Sequence, residues 1–251
     1  IHFWLSIILL IICSYISPNF SLFIIFFYFY FLRSVKLFTL ISSSIFCLIC
    51  SLPAFYYLFV LDVNFLIANT PAGGAGASAL DFNLSNKIMI ISSIILFHLI
   101  PFIFNKDFFE KIKEFVKKYA FFLILFFFLN LYFFDYTLSF TGGGFFFQVS
   151  NIFFNNNILF FIFSFLSIVI IFYTGKIDKN NILLFFLLII SNIQNTIYHK
   201  YYDPLILIMF FTILNLNLIS DFFKKKYSLD ILYLFYLSYI FLRLTKNIYL
   251  S

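Results

Sequence analysis

The chain has 251 residues, 64% of them hydrophobic and 10% charged, with a mean hydropathy of +1.07. Soluble domains are about half apolar and roughly a quarter charged, so a water-soluble globule of this size could not hide so much Phe, Ile and Leu. The composition excludes a soluble enzyme, a secreted disulfide scaffold and a disordered chain, and it fits a bilayer. The net charge of +6 belongs to lysines in short loops, which set membrane topology, and no nucleic-acid partner is expected.

A helix crossing the hydrocarbon needs about 20 apolar residues. Nine runs approach this, near 2–16, 19–32, 37–61, 87–104, 119–134, 158–174, 182–198, 204–220 and 229–243. The second and last are short enough to be re-entrant or interfacial instead. The expected fold is therefore all-α, a polytopic membrane bundle of about 8–9 spans forming a single domain over residues 1–251. The chain opens directly on IHFWLSIILL, without the charged start of a signal peptide. It reads as the C-terminal part of a longer membrane protein. Cys13, Cys47 and Cys50 lie inside apolar runs with no His nearby, as small fillers rather than a redox or zinc pair. Phe (45 residues) and Tyr (17 residues), with the many Ile, Asn and Lys, match AT-rich codons, so aromatic stripes are not taken as ligand boxes.

Alternating spans sort the cations. Twelve fall on one side (Arg33, Lys36, Lys106, Lys111, Lys113, Lys117, Lys118, Lys176, Lys179 and Lys224–Lys226) and four on the other (Lys87, Lys200, Arg243 and Lys246). The lysine-rich side is expected to be cytoplasmic. Stretch 105–118 places Phe108, Phe109, Ile112, Phe115 and Val116 at helical spacing among lysines, as an amphipathic helix at the cytoplasmic interface. The opposite side receives the long loops 62–86 and 135–157 and the turn 199–203, with Asp62, Asp81, Asp135, Asp203 and His199. Chemistry, if present, is expected there.

Three stretches carry candidates. In 62–86, Asp62 and Asp81 bracket the segment TPAGGAGASA, either a mobile loop or a lid; with no preceding strand and no G-K-[ST], it is not a P-loop. In 135–151, Gly142–Gly144 interrupt an apolar context, and Gly143 and Gln148 are candidate substrate contacts, against a plain inter-helix turn. In 191–204, His199, Lys200, Tyr201 and Asp203 follow the amides of Asn192, Gln194 and Asn195; Lys200 suits an anionic headgroup as a compact point charge. His98 stands alone in LFHLIP and reads as a packed, hydrogen-bonded residue. No His, Asp and Glu cluster occurs at metal-ligand spacing, so no metal and no cofactor are expected.

Residues 184–214, LFFLLIISNIQNTIYHKYYDPLILIMFFTIL, resemble the C-terminal part of the dolichyl-phosphate-glucose alpha-1,2-glucosyltransferase family, within the polyprenyl-phosphate-sugar-dependent membrane glycosyltransferases of GT-C architecture. Lys200 stands where that family has Arg, Tyr201 matches its Tyr and Pro204 lies close to its Pro. The family's upstream Asp-Asn-Arg-His-Tyr stretch is replaced here by TGGGFFFQVSN. The resemblance implies a hexosyltransferase moving a sugar from a polyprenyl-phosphate donor to a lipid-linked or cell-surface glycan on the extracytoplasmic face. It implies a carboxylate base, with Asp62, Asp81 and Asp203 as candidates, and Lys200 and His199 on the phosphate. The expected setting is the inner or plasma membrane of an AT-rich bacterium, or the endoplasmic reticulum membrane of a eukaryote, with membrane lipids, donor and acceptor as partners. A transporter or flippase is the rival; it requires ionisable groups facing the bundle centre and broken helices. A non-catalytic anchoring subunit is the third reading.

Overall fold

The computed structural model describes residues 2–16, 18–32, 34–61, 83–103, 106–137, 142–191, 197–214 and 217–249. Every element among them is helical: α1 (His2–Ile16), α2 (Phe23–Phe31), α3 (Leu37–Phe59), α4 (Leu84–Ile103), α5 (Lys106–Tyr132), α6 (Gly144–Phe154), α7 (Ile158–Ile177), α8 (Lys179–Ser191), α9 (His199–Thr212), α10 (Asn217–Phe223) and α11 (Ser228–Tyr249), with a 3-10 turn over Pro18–Leu22 before α2.

Among the described residues, five helical stretches are long and apolar enough to cross a membrane: Leu37–Tyr56, Leu84–Ile103, Asp107–Tyr132, Ile158–Ile177 and Ser228–Thr245. This is fewer than the nine runs in the sequence, and helix length is the reason. At ~1.5 Å per residue, α1 and α2 reach only about 22 and 14 Å, against ~30 Å of hydrocarbon. In the run 182–198, α8 ends at Ser191 and residues 192–196 lie outside the described residues, and the run 204–220 contains parts of α9 and α10. In the other direction, the short run 229–243 lies within a helix of 22 residues. Of the loop 62–86, residues 62–82, including Asp62 and Asp81, lie outside the described residues.

Stretch 105–118 is helical from Lys106 and continues into the following span. The two meet at Tyr119, whose φ of −116° and ψ of 15° leave the helical region. Phe108, Ile112 and Phe115 are buried, as the spacing predicts, but Phe109 is 46% exposed, so the apolar face is narrower than expected.

α4 is the axis of the bundle, buried from Ser85 to Ile103 apart from the half-buried Ile88 and Ile100. α7 runs beside it in the same direction: Ser164 Oγ donates to the Met89 carbonyl at 3.1 Å and Ser167 Oγ to the Ser92 carbonyl. Small hydroxyl residues let the two backbones approach, which is how helices associate without a hydrophobic driving force between them. α5 runs the other way along α7, with Phe127 against Phe165 and Phe115 against Tyr173.

At the Leu84 end, Asp135 clamps the exit of α5 to α4. Its Oδ1 accepts from Asn83 Nδ2 at 2.8 Å and Asn86 Nδ2 at 2.7 Å, and its N–H donates to Asn86 Oδ1. Asn83 Oδ1 accepts the N–H groups of Ser85 and Asn86, a cap on α4. Lys87, in the first turn of α4, is buried rather than displayed at the boundary. At the other end, Phe102 packs on Phe210 and Phe222.

Candidate functional site

Two chain segments turn inward from this frame. After Asp135 the chain passes into the bundle, and α6 starts where Gly144 lies against Ile90 and Ile94 of α4. The turn needs left-handed backbone at two successive positions, φ 92° at Gly143 and 78° at Gly144, which only glycine adopts without penalty. Gln148 Nε2 donates to the Gly142 carbonyl and braces the turn. The second segment is 197–203. The Gly143 N–H donates to the Ile197 carbonyl at 2.9 Å, and the Ile197 N–H donates to the Tyr136 hydroxyl at 3.4 Å. The two stretches marked separately in the sequence are therefore bonded to one another. Gly143 and Gln148 serve this junction.

α9 then starts beside His98. His199 and Asp203, four apart on one helical face, both point at α4. His98 Nε2 lies 3.1 Å from Asp203 Oδ1, and its Nδ1 lies 3.0 Å from the Tyr236 hydroxyl. A carboxylate beside Nε2 requires the proton there, so Nε2–H donates to Asp203 and the Tyr236 O–H donates to Nδ1. His199 Nε2 lies 3.0 Å from the same carboxylate oxygen, but without hydrogen-bond geometry, and it is buried with no hydrogen-bond partner among the described residues. Such an atom forfeits the free energy of its lost hydration.

Phe97 walls the cluster. Its ring touches His98, His199, Phe145 and Tyr239 at centroid distances of 5.2, 5.2, 4.9 and 4.8 Å. α11 packs on the cluster with Tyr236 and Tyr239, and Tyr239 hydrogen-bonds the Arg243 side chain. His98 is 2% exposed at its side chain and Asp203 26%, so the carboxylate is reachable while its partner is not. The three potential ligand atoms of His98, His199 and Asp203 lie within 4.8 Å of one another.

No family model, curated protein or solved structure matches this chain. Its function therefore has to be read from its own residues.

Of the sequence candidates, His199 and Asp203 belong to the cluster. Asp62 and Asp81 lie outside the described residues, as do the side chains of Lys200 and Tyr201, whose backbone forms the first turn of α9. Asp135 stands apart at the Leu84 end. His199 and Asp203 do not share that level: at ~1.5 Å per residue along α4, His98 is about 21 Å from Leu84. His98, Tyr236 and Tyr239 have no local signal in the sequence, because their partners are more than a hundred residues away for His98 and a different helix for the tyrosines. A cavity of about 30 Å³ lies among α4, α7, α8 and α9, and none of the three clustered residues lines it.

Proposed function

We propose that the chain is a multi-pass membrane glycosyltransferase, with its reaction centre at Asp203 and His98. The observation that carries this reading is convergence. Gly143 is hydrogen-bonded to Ile197, two residues before the turn His199–Asp203 that the sequence also marks for substrate, and in that turn the Asp203 carboxylate is held by the His98 imidazole. In the reaction, the bond between the anomeric carbon and the phosphate oxygen of a polyprenyl-phosphate sugar breaks. A bond from that carbon to the acceptor oxygen forms, and the acceptor proton passes to Asp203. The lipid phosphate leaves as an anion. His98, fixed through Tyr236, orients the carboxylate, and general base catalysis of this kind contributes about 10²–10⁴ in rate. Arg243 and Lys200 are the cations available to the departing phosphate. The setting is the inner or plasma membrane, or the endoplasmic reticulum.

The test uses membranes containing the gene product and radiolabelled polyprenyl-phosphate sugars. Transfer to a lipid or glycan acceptor that falls 10²-fold or more in Asp203→Asn supports the reading. Equal transfer by wild type and variant overturns it. A second reading, transport, is favoured by one feature: α6 and α9 both begin inside the bundle beside an ionisable cluster, the mark of a midplane substrate site. Absence of transfer from any donor, together with solute flux in proteoliposomes that Asp203→Asn abolishes, selects it.

A further inference from the structure

We propose that His98, His199 and Asp203 form a binding site for a divalent transition-metal ion of the zinc class. Local spacing supplies only two of the ligands, His199 and Asp203 four apart on one helical face, and the third, His98, is separated by 105 positions from Asp203. Folding brings together two imidazoles and one carboxylate, a donor set that suits zinc, iron or cobalt rather than magnesium or calcium.

The distances fit. An ion with bonds of about 2.0–2.1 Å holds neighbouring ligand atoms roughly 3 Å apart. Asp203 Oδ1 lies 3.1 Å from His98 Nε2 and 3.0 Å from His199 Nε2. His199 Nε2 is the buried side-chain polar atom that lacks a hydrogen bond among the described residues. An ion between the two rings would satisfy it, with each Nε2 giving up its proton and presenting a lone pair. The Tyr236 hydroxyl already occupies His98 Nδ1. An outer partner of this kind, free to accept from Nδ1–H once Nε2 binds metal, fixes ring orientation at metal sites. Three protein ligands leave a fourth position for water or substrate, the composition of an open site. Arg243, linked to Tyr239, is the cation beside the cluster and opposes the charge of a bound ion.

The inference goes beyond the transferase reading and does not require it. A bound ion would take Asp203 Oδ1, the oxygen nearest both imidazoles.

The experiment is titration of metal-stripped protein in detergent with Co²⁺, read by its ligand-field absorption, followed by displacement with Zn²⁺. One ion per chain is expected, weakened at least tenfold in His98→Ala, His199→Ala and Asp203→Asn and unchanged in His2→Ala. No absorption, or the same absorption in every variant, overturns the site. X-ray absorption at the zinc edge of the wild-type protein covers the case of variants that fail to fold. Two imidazoles around zinc are expected there, and a shell without imidazole overturns the proposal. Neither readout depends on sugar transfer, so each proposal fails by its own measurement.

Discussion

Gly143 and Gly144 carry a cost that no other residue type meets. A Cβ on Gly143 would overlap the Phe147 ring, and one on Gly144 would sit 3.0 Å from Ile94 Cγ1, both at positive φ. Left-handed backbone costs an L residue roughly 1–2 kcal/mol, and the contacts add to that. Gly143→Ala and Gly144→Ala are each expected to destabilise by about 1–3 kcal/mol, read as a lower melting temperature in detergent, and to weaken the tie to Ile197. Unchanged melting in both would mean that the turn does not have this backbone. The sequence displays these glycines plainly, because three in a row inside an apolar stretch have few other uses. It does not display His98. A lone histidine on an apolar helix carries no mark of the residue it meets 105 positions later, and only the packing of α9 on α4 supplies that.

At the scale of the elements, the contact between α4 and α7 depends on small residues. Ser164 and Ser167 are 0% and 1% exposed, and each donates to an α4 carbonyl. Interhelical hydrogen bonds of this kind average about 0.6 kcal/mol, so Ser164→Ala with Ser167→Ala should cost only about 1 kcal/mol. Ser164→Leu should cost more, about 1–3 kcal/mol by overpacking. A thermal melt that ranks them the other way would make the hydrogen bonds, not the close approach, the source of stability. The exposed pair at the end of α10 is a useful contrast. Lys224 donates to Asp221 at 2.8 Å, and this bond holds the Asp221 carboxyl below the usual range. A depressed folded pKa gives stability that is present above the ordinary carboxylate pKa and is lost as pH falls through the folded value. Both groups are solvated, so Asp221→Asn is expected to leave the melting temperature unchanged at neutral pH. Helix lengths set the limit of what the sequence shows at this scale. Runs of apolar residues locate most of the helices, but Phe, Ile and Leu continue through 182–198 and 204–220 alike, and hydropathy does not register where α8 stops or α9 begins.

Across the whole molecule, Lys111, Lys176 and Lys224, which alternation assigns to one side, lie at one end of α4. Lys176 lies over the Phe115 ring, Lys111 is among the charges acting on Asp221, and α10 packs its Phe222 on Phe102. Asp135 marks the opposite end through Asn83 and Asn86. The charge bias and the packing thus pick out the same axis, one from loop composition and the other from contacts. They part at 197–203. Alternation makes this a turn at the outer surface, whereas Ile197 is 1% exposed and bonded to Gly143 inside the bundle. Cysteine labelling decides between them in a background with Cys13, Cys47 and Cys50 replaced. In intact cells, an impermeant maleimide should reach Asn155→Cys, on the exposed turn after α6, and should reach Lys117→Cys only after permeabilisation. Ile197→Cys should resist labelling until the protein is denatured. Labelling of Ile197→Cys as fast as Asn155→Cys would place 197–203 at the surface and separate Asp203 from His98, and neither the transferase centre nor the metal site would survive that result.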